Sequence, residues 1–231
     1  MGFGTFVHHI GTVLLLVATA LLIVVSVTAP AVNSLAILRV ELGGGVQGNE
    51  VTFGSFGYCH RGVLDTDQCS RSHIGYNPAD VISDIDDTDF GTAAENTSKG
   101  LTRVMILHPI AAALCFIAFL LCLGTGIVGS LGAVFFALVS FIVTIVAMAC
   151  DFAAFSIIRS HVNDNGRSTA RWGSGIWCIL AAAICTLFAA AVVMLTCCAG
   201  RAKKRRQEGR SKEADHVSGE AAARRPFWKR G

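Results

Sequence analysis

Two of the nine cysteines in this chain stand apart from the rest. Cys59 and Cys69 lie in a polar stretch, whereas the other seven lie in, or at the end of, apolar runs. Two cysteines in a polar loop read as a disulfide when that loop faces an oxidising compartment. Closing about ten residues would stabilise the loop by about 2–3 kcal/mol in the chain-entropy model. Free thiols and a metal site are the competing readings. His60 and His73 are close in sequence, but their spacing from the cysteines is not a standard zinc pattern.

Asp151 follows Cys150 inside a long apolar run. A carboxylate inside a membrane is costly and needs a partner. Arg159 lies about 12 Å farther along a helix. His108 would sit at similar depth on an adjacent antiparallel span, and an imidazole beside a carboxylate is a pair able to titrate near neutral pH. The alternative is an Asp hydrated near the membrane interface.

Other groups carry weaker signals. Asp84, Asp86, Asp87, Asp89 and Glu95 resemble a calcium loop counted from Asp84, but Asp89 falls where the sharp turn needs Gly, which favours a solvated acidic face. Asn96-Thr97-Ser98 is a glycosylation sequon. Cys197-Cys198 adjoins a basic segment and is a candidate palmitoylation site, with unmodified thiols as the alternative. Lys203, Lys204, Arg205 and Arg206 would attract anionic inner-leaflet lipid at about 1 kcal/mol per charge, and so close to a span they do not read as a nucleic-acid site. Gly129, Ala133 and Ala137, four apart, would allow close helix approach. There is no P-loop, metalloprotease His-Glu pair or Gly-x-Ser-x-Gly elbow. These observations point to a non-enzymatic protein with no cofactor.

The elements that position these residues follow from composition. Hydrophobic residues make up 53% of the 231 and charged residues 15%, and the apolar ones come in blocks of bilayer-spanning length. The expected spans are residues 10–29, 104–123, 127–158 and 174–196, with a turn at Gly124-Thr125-Gly126. The third is long enough to tilt or to project beyond the lipid. A cleaved signal peptide is the rival reading of the first, but residues 1–9 hold no Lys or Arg and the apolar run is long for one.

The net charge of +3 hides an asymmetry. Residues 39–103 carry five Lys/Arg against ten Asp/Glu, and residues 201–231 carry eleven against four. The positive-inside rule then places residues 197–231 and the first nine residues in the cytoplasm, and the loops 30–103 and 159–173 outside. The tail has low complexity and is expected to be disordered. In the long loop, Leu38, Val40 and Leu42 alternate with Arg39 and Glu41 at strand period, and Gly43-Gly44-Gly45 ends the pattern. Residues 51–59 read as the partner strand. Asn77-Pro78-Ala79-Asp80 reads as a helix start with Asn as N-cap.

Phe53, Gly54, Phe56, Gly57, Tyr58 and Cys59, followed by Cys69-Ser70 and by Gly75 and Tyr76 in Ile74-Gly-Tyr-Asn-Pro78, resemble the fungal Sur-seven/PalI family of tetraspan plasma-membrane proteins. The resemblance covers about residues 5–200. More distantly the chain is similar to the claudin architecture, with Phe56 in place of that family's Trp, so a paracellular seal is not implied. The fold expected is a four-helix transmembrane bundle bearing a disulfide-stapled extracellular loop with a small β-sheet. The resemblance implies one of two roles: assisting an ambient-pH-sensing receptor, or organising eisosome-type cortical domains and the cell wall. Partners would be membrane lipid, other membrane proteins and a second copy of the chain. A small oligomeric transporter or channel is the alternative from a different class.

Overall fold

The computed structural model describes residues 3–32, 34–45, 48–63, 66–124 and 127–223, with the backbone alone at 3–5, 127–128, 130 and 199–223. Four helical stretches are long and apolar enough to cross a membrane: Phe6–Ser26, Thr92–Leu123, Leu131–Asn165 and Ser174–Cys198. They belong to helices α1 (Phe3–Ser26), α3 (Thr92–Val104) running into α4 (Leu107–Leu123), α5 (Ile127–Asn165) and α6 (Ser174–Ala223). A shorter helix, α2 (Pro78–Asp86), precedes α3. The chain is a multi-pass membrane protein.

Small side chains set the spacing of the bundle. Ala111, Ala118, Ala133, Ala137, Ala182 and Ala189 are fully buried along its core with Leu15 and Leu22. Close backbone approach then permits polar contacts between helices. The Ser140 hydroxyl donates to the Ala111 carbonyl at 3.0 Å, and the Cys115 thiol donates to the Leu15 carbonyl at 3.4 Å. Large apolar residues such as Phe135, Ile142, Phe188 and Leu195 face outward, as a lipid-facing surface requires.

The rest of the chain folds at one end of the bundle, around a five-stranded antiparallel sheet. Its strands are β1 (Leu38–Glu41), β2 (Glu50–Phe53), β3 (Tyr58–Val63), β4 (Thr66–Cys69) and β5 (Thr169–Trp172), in spatial order β4-β3-β2-β1-β5. Residues 51–59 are therefore not one strand. Gly54 to Gly57 form a turn closed by a 2.9 Å bond from the Gly54 N–H to the Gly57 carbonyl, separating β2 from β3. A Cβ on Gly54 would collide with the backbone of Ala29, so the turn lies directly on the chain leaving α1. Residues 159–173, read as a plain polar loop, contribute β5, which pairs with β1 so that Arg39 faces Arg171. Its other side is occupied by Asn163, whose amide accepts from the Ala170 N–H at 2.8 Å and donates to the Ala170 carbonyl at 3.3 Å.

Three further expectations change. The first span ends at Ser26 rather than Ala29, because the chain turns to meet residues 54–57. Asn77 occupies the N-cap of α2 but makes no side-chain cap; its amide donates instead to Glu95 on α3 at 2.9 Å. The tail, expected to be disordered, continues α6 to Ala223. Its Ala, Lys, Arg and Glu are good helix formers, and extending an existing helix needs no new nucleus.

Candidate functional site

The Phe-Gly-Ser-Phe-Gly-Tyr-Cys and Gly-Tyr motifs meet where the sheet sits on the bundle. Phe53 ends β2 and Tyr58 begins β3, so their side chains are cross-strand neighbours with ring centroids 6.1 Å apart. Tyr76 stacks on Phe53 at 6.3 Å and lies 6.3 Å from Tyr58. From below, Phe155 of α5 completes the cluster at 6.4 Å from Phe53. Aromatic pairs in this range add about 0.5–1.5 kcal/mol each beyond the area they bury. Phe53, Tyr76 and Phe155 are essentially solvent-free, so the cluster joins sheet and bundle into one core together with Ile37, Leu38, Ile158 and Ile176.

Tyr76 is the centre of this junction. Its hydroxyl donates to the Gly54 carbonyl at 2.8 Å, and its own carbonyl accepts from the Thr102 hydroxyl of α3 at 2.7 Å. Gly75 before it has φ +74°, and a Cβ there would meet the Arg103 side chain. Burial, with the charge of Asp151 adding to it, holds the Tyr76 phenol well above its ordinary 10.0.

Beneath Tyr76 the bundle carries its buried ionisable pair. His108 Nε2 lies 2.9 Å from Asp151 Oδ2, with both side chains fully buried. The approach has ion-pair distance but not hydrogen-bond alignment, and neither His108 Nδ1 nor Asp151 Oδ1 has a hydrogen-bond partner. Arg159, the other partner in reach by sequence, is elsewhere: its guanidinium lies 5.8 Å from the centroid of the Trp172 ring.

Cys59 and Cys69 are disulfide-bonded and directly opposed in the β3–β4 ladder. The bridge anchors the segment leading to Tyr76, helped by bonds from the Ser70 N–H to the Tyr58 carbonyl and from the His73 N–H to the Phe56 carbonyl, each 2.9 Å. Phe56 and Gly57 belong to the turn. Gly57 packs so closely that a Cβ would strike the Ser70 hydroxyl.

Sequence reasoning missed the latch on the far side of this turn. The Ser55 N–H donates to the Thr28 hydroxyl and the Ser55 hydroxyl donates to the Val25 carbonyl, both at 2.9 Å. These bonds tie the turn to the end of α1, where the Val25 carbonyl also accepts from the Thr28 hydroxyl at 2.8 Å. The only advance signal was a Ser between two glycines in an otherwise apolar motif.

The remaining residues lie away from the junction. Asn96 is exposed on α3, Cys197 is half-buried and Cys198 exposed near the opposite end of the bundle, and Ala133 and Ala137 are buried with Gly129 half-buried on α5. The side chains of Lys203, Lys204, Arg205 and Arg206 lie outside the described residues. The acidic residues of the calcium-loop reading are not arranged to hold a metal ion. Asp86 accepts from Thr88, Asp87 pairs with Arg167 and Glu95 accepts from Asn77.

The model of the SUR7/PalI family matches residues 7–202. Three curated fungal proteins are similar. The pH-response regulator palI/RIM9 of Emericella nidulans is 33% identical over 113 residues, 48% of this chain and 18% of the relative. The uncharacterized membrane protein TOS7 of Saccharomyces cerevisiae is 33% identical over 104 residues, 45% of this chain and 16% of the relative. The pH-response regulator palI/prr-5 of Neurospora crassa is 28% identical over 180 residues, 76% of this chain and 23% of the relative. In each case the match spans less than a quarter of the relative's length. A matched region that takes in all four membrane spans, the stapled sheet and the aromatic junction shows that this chain belongs to the SUR7/PalI family.

Proposed function

We propose that this chain is a non-enzymatic accessory protein of ambient-pH signalling at the plasma membrane, with the sheet outside and both termini in the cytoplasm. The single observation that carries the reading is the sealed junction. Phe53, Tyr58, Tyr76 and Phe155, seated above His108 and Asp151, bind the sheet and the helices into one body. Such a body presents a fixed surface to a membrane partner. The segment carrying His73 and Ile74 is exposed beside the junction and would form part of that surface. Two relatives named as pH-response regulators support the pathway.

The test is an alkaline-response reporter in cells carrying His73→Ala with Ile74→Ala, set beside Cys59→Ser and His108→Gln, with surface abundance measured for each. An accessory role predicts that the exposed double substitution weakens the response at unchanged abundance, while His108→Gln matters only as far as it lowers abundance. If His108→Gln abolishes the response at full abundance, the protein senses pH through the buried pair. If the response survives every variant while cortical membrane domains or the cell wall are disturbed, the role is cortical organisation.

A further inference from the structure

We infer that Asn96 carries an N-linked oligosaccharide, attached before α3 packs onto the bundle. The inference rests on the proposed orientation, with the sheet outside. Asn96-Thr97-Ser98 meets the sequence requirement, an Asn with a hydroxyl two residues later. α3 also carries Glu95, Lys99 and Arg103, so this length of helix stands clear of the lipid, while the apolar run that follows Val104 suffices to cross it. The folded site has room for a sugar. Asn96 is exposed, whereas the amides of Asn77, Asn163 and Asn165 are tied to Glu95, Ala170 and Thr88. Gly100, four residues on and therefore on the same face, has nothing within 4 Å of the place a Cβ would occupy.

The same fold prevents the sugar from being attached late. Residues two apart on a helix do not face the same way. Asn96 points to solvent, while Ser98 is 0% exposed and its hydroxyl donates to the Glu95 carbonyl at 3.0 Å. A transferase cannot engage both groups while α3 is helical. Height acts in the same direction. Asn96 stands about 12 Å above Val104 as helix but about 27 Å above it when extended, and the transferase is membrane-bound with an active site that must clear the head groups. The order of synthesis supplies the extended state. A segment of 13 residues is short for a stable isolated helix, and α3 packs against α5, which is made later.

The donor is an oligosaccharide carried on a lipid pyrophosphate. The side-chain amide nitrogen of Asn96 forms a bond to the anomeric carbon of the first sugar. The bond from that carbon to the pyrophosphate oxygen breaks, the lipid pyrophosphate leaves with the bonding pair, and the nitrogen gives up one proton. No oxidant or reductant is needed. Once α5 arrives, Ser98 turns inward and the modified Asn96 stays on the open face of α3.

The experiment translates the full chain in the presence of microsomes. One species of higher mass should appear, returned to the bare mass by an endoglycosidase specific for N-linked sugar. Asn96→Gln should abolish it, and Ser98→Ala should abolish it with the Asn still present. Arg71→Asn with His73→Thr writes a second sequon into an exposed segment of the sheet end and reports the orientation separately. Sugar at that site while the unaltered chain stays bare overturns the inference and leaves the orientation standing; sugar at neither site overturns both. For the timing, an excess of acceptor tripeptide blocks the transferase during synthesis and is then diluted out. Chains made during the block should stay bare, while chains begun afterwards are modified. Modification of the earlier chains would make folded α3 a substrate and overturn the order of events.

Discussion

Removing one half of the His108–Asp151 pair would leave the other buried without its partner. Such losses cost about 3–5 kcal/mol, more than the pair itself need contribute. Asp151→Asn and His108→Gln should each lower the unfolding free energy in mixed micelles by an amount of that order. The double variant should lose less than the sum, and a double-mutant cycle measures the coupling directly. Tyr76 makes a second prediction at this scale. Its phenol ionises near 10.0 when unfolded and well above that when buried. Above about pH 10 the folded state then binds more protons than the unfolded state, so stability is present in full below that pH and falls as pH rises. Tyr76→Phe should flatten this alkaline slope, and should cost about 0.5–1.5 kcal/mol at neutral pH for the lost bond to Gly54. Denaturation curves on either side of pH 10 separate the two effects.

At the scale of elements, the turn at residues 54–57 decides whether the sheet can sit on the bundle. Gly54→Ala would drive a Cβ into the backbone of Ala29, which cannot move without disturbing the end of α1. Gly75→Ala would press on the Arg103 Cγ, a side-chain atom that can shift where backbone cannot, and adds the cost of a positive φ, about 1–2 kcal/mol. Gly54→Ala should therefore reduce folded yield far more than Gly75→Ala, as read by gel filtration in detergent. The disulfide belongs to the same scale. Non-reducing peptide mapping should recover Cys59 linked to Cys69, and Cys59→Ser should cost about 2–3 kcal/mol for a loop of this size.

The same elements show what the sequence could reveal. Long apolar runs located all four spans, because the bilayer imposes length and composition together, whereas the helical stretches that continue the second back to Thr92 and the third on to Asn165 are too polar to be read as span. The β1 strand was legible from its alternation. The β2–β3 boundary was not, since glycines inside an apolar motif fit a strand as readily as a turn. β5 was hidden because four residues, Thr169–Trp172, carry too little pattern, and its place depends on β1, about 130 residues earlier. At the junction, Tyr76 and Phe53 were marked by motif. Ser55, Thr28 and Phe155 acquired their roles only through tertiary contact.

For the whole molecule, α1 contributes Leu15, Ala18 and Leu22 to the core against α4 and α6. An uncleaved α1 with four spans puts both ends of the chain on one side of the membrane. If that side is the cytoplasm, as proposed, tags at either end survive protease added to sealed cells; loss of the N-terminal tag alone would indicate cleavage.

The pairing of β5 with β1 also bears on how the chain can be divided. Residues 3–124 carry α1 through α4 and four strands, and residues 127–223 carry α5, α6 and the fifth. Each piece would expose a surface that only the other covers: Ala111 and Ala118 on one side, Ala133 and Ala137 on the other, with the open edge of β1 and the lone β5 as a second, sequence-specific seam. Two fragments expressed from separate genes should then find each other in the membrane and reconstitute the native protein. Arg171→Pro, which removes a donor from that seam, should abolish their reunion while being tolerated better in the continuous chain, where the connection between α4 and α5 keeps the halves together.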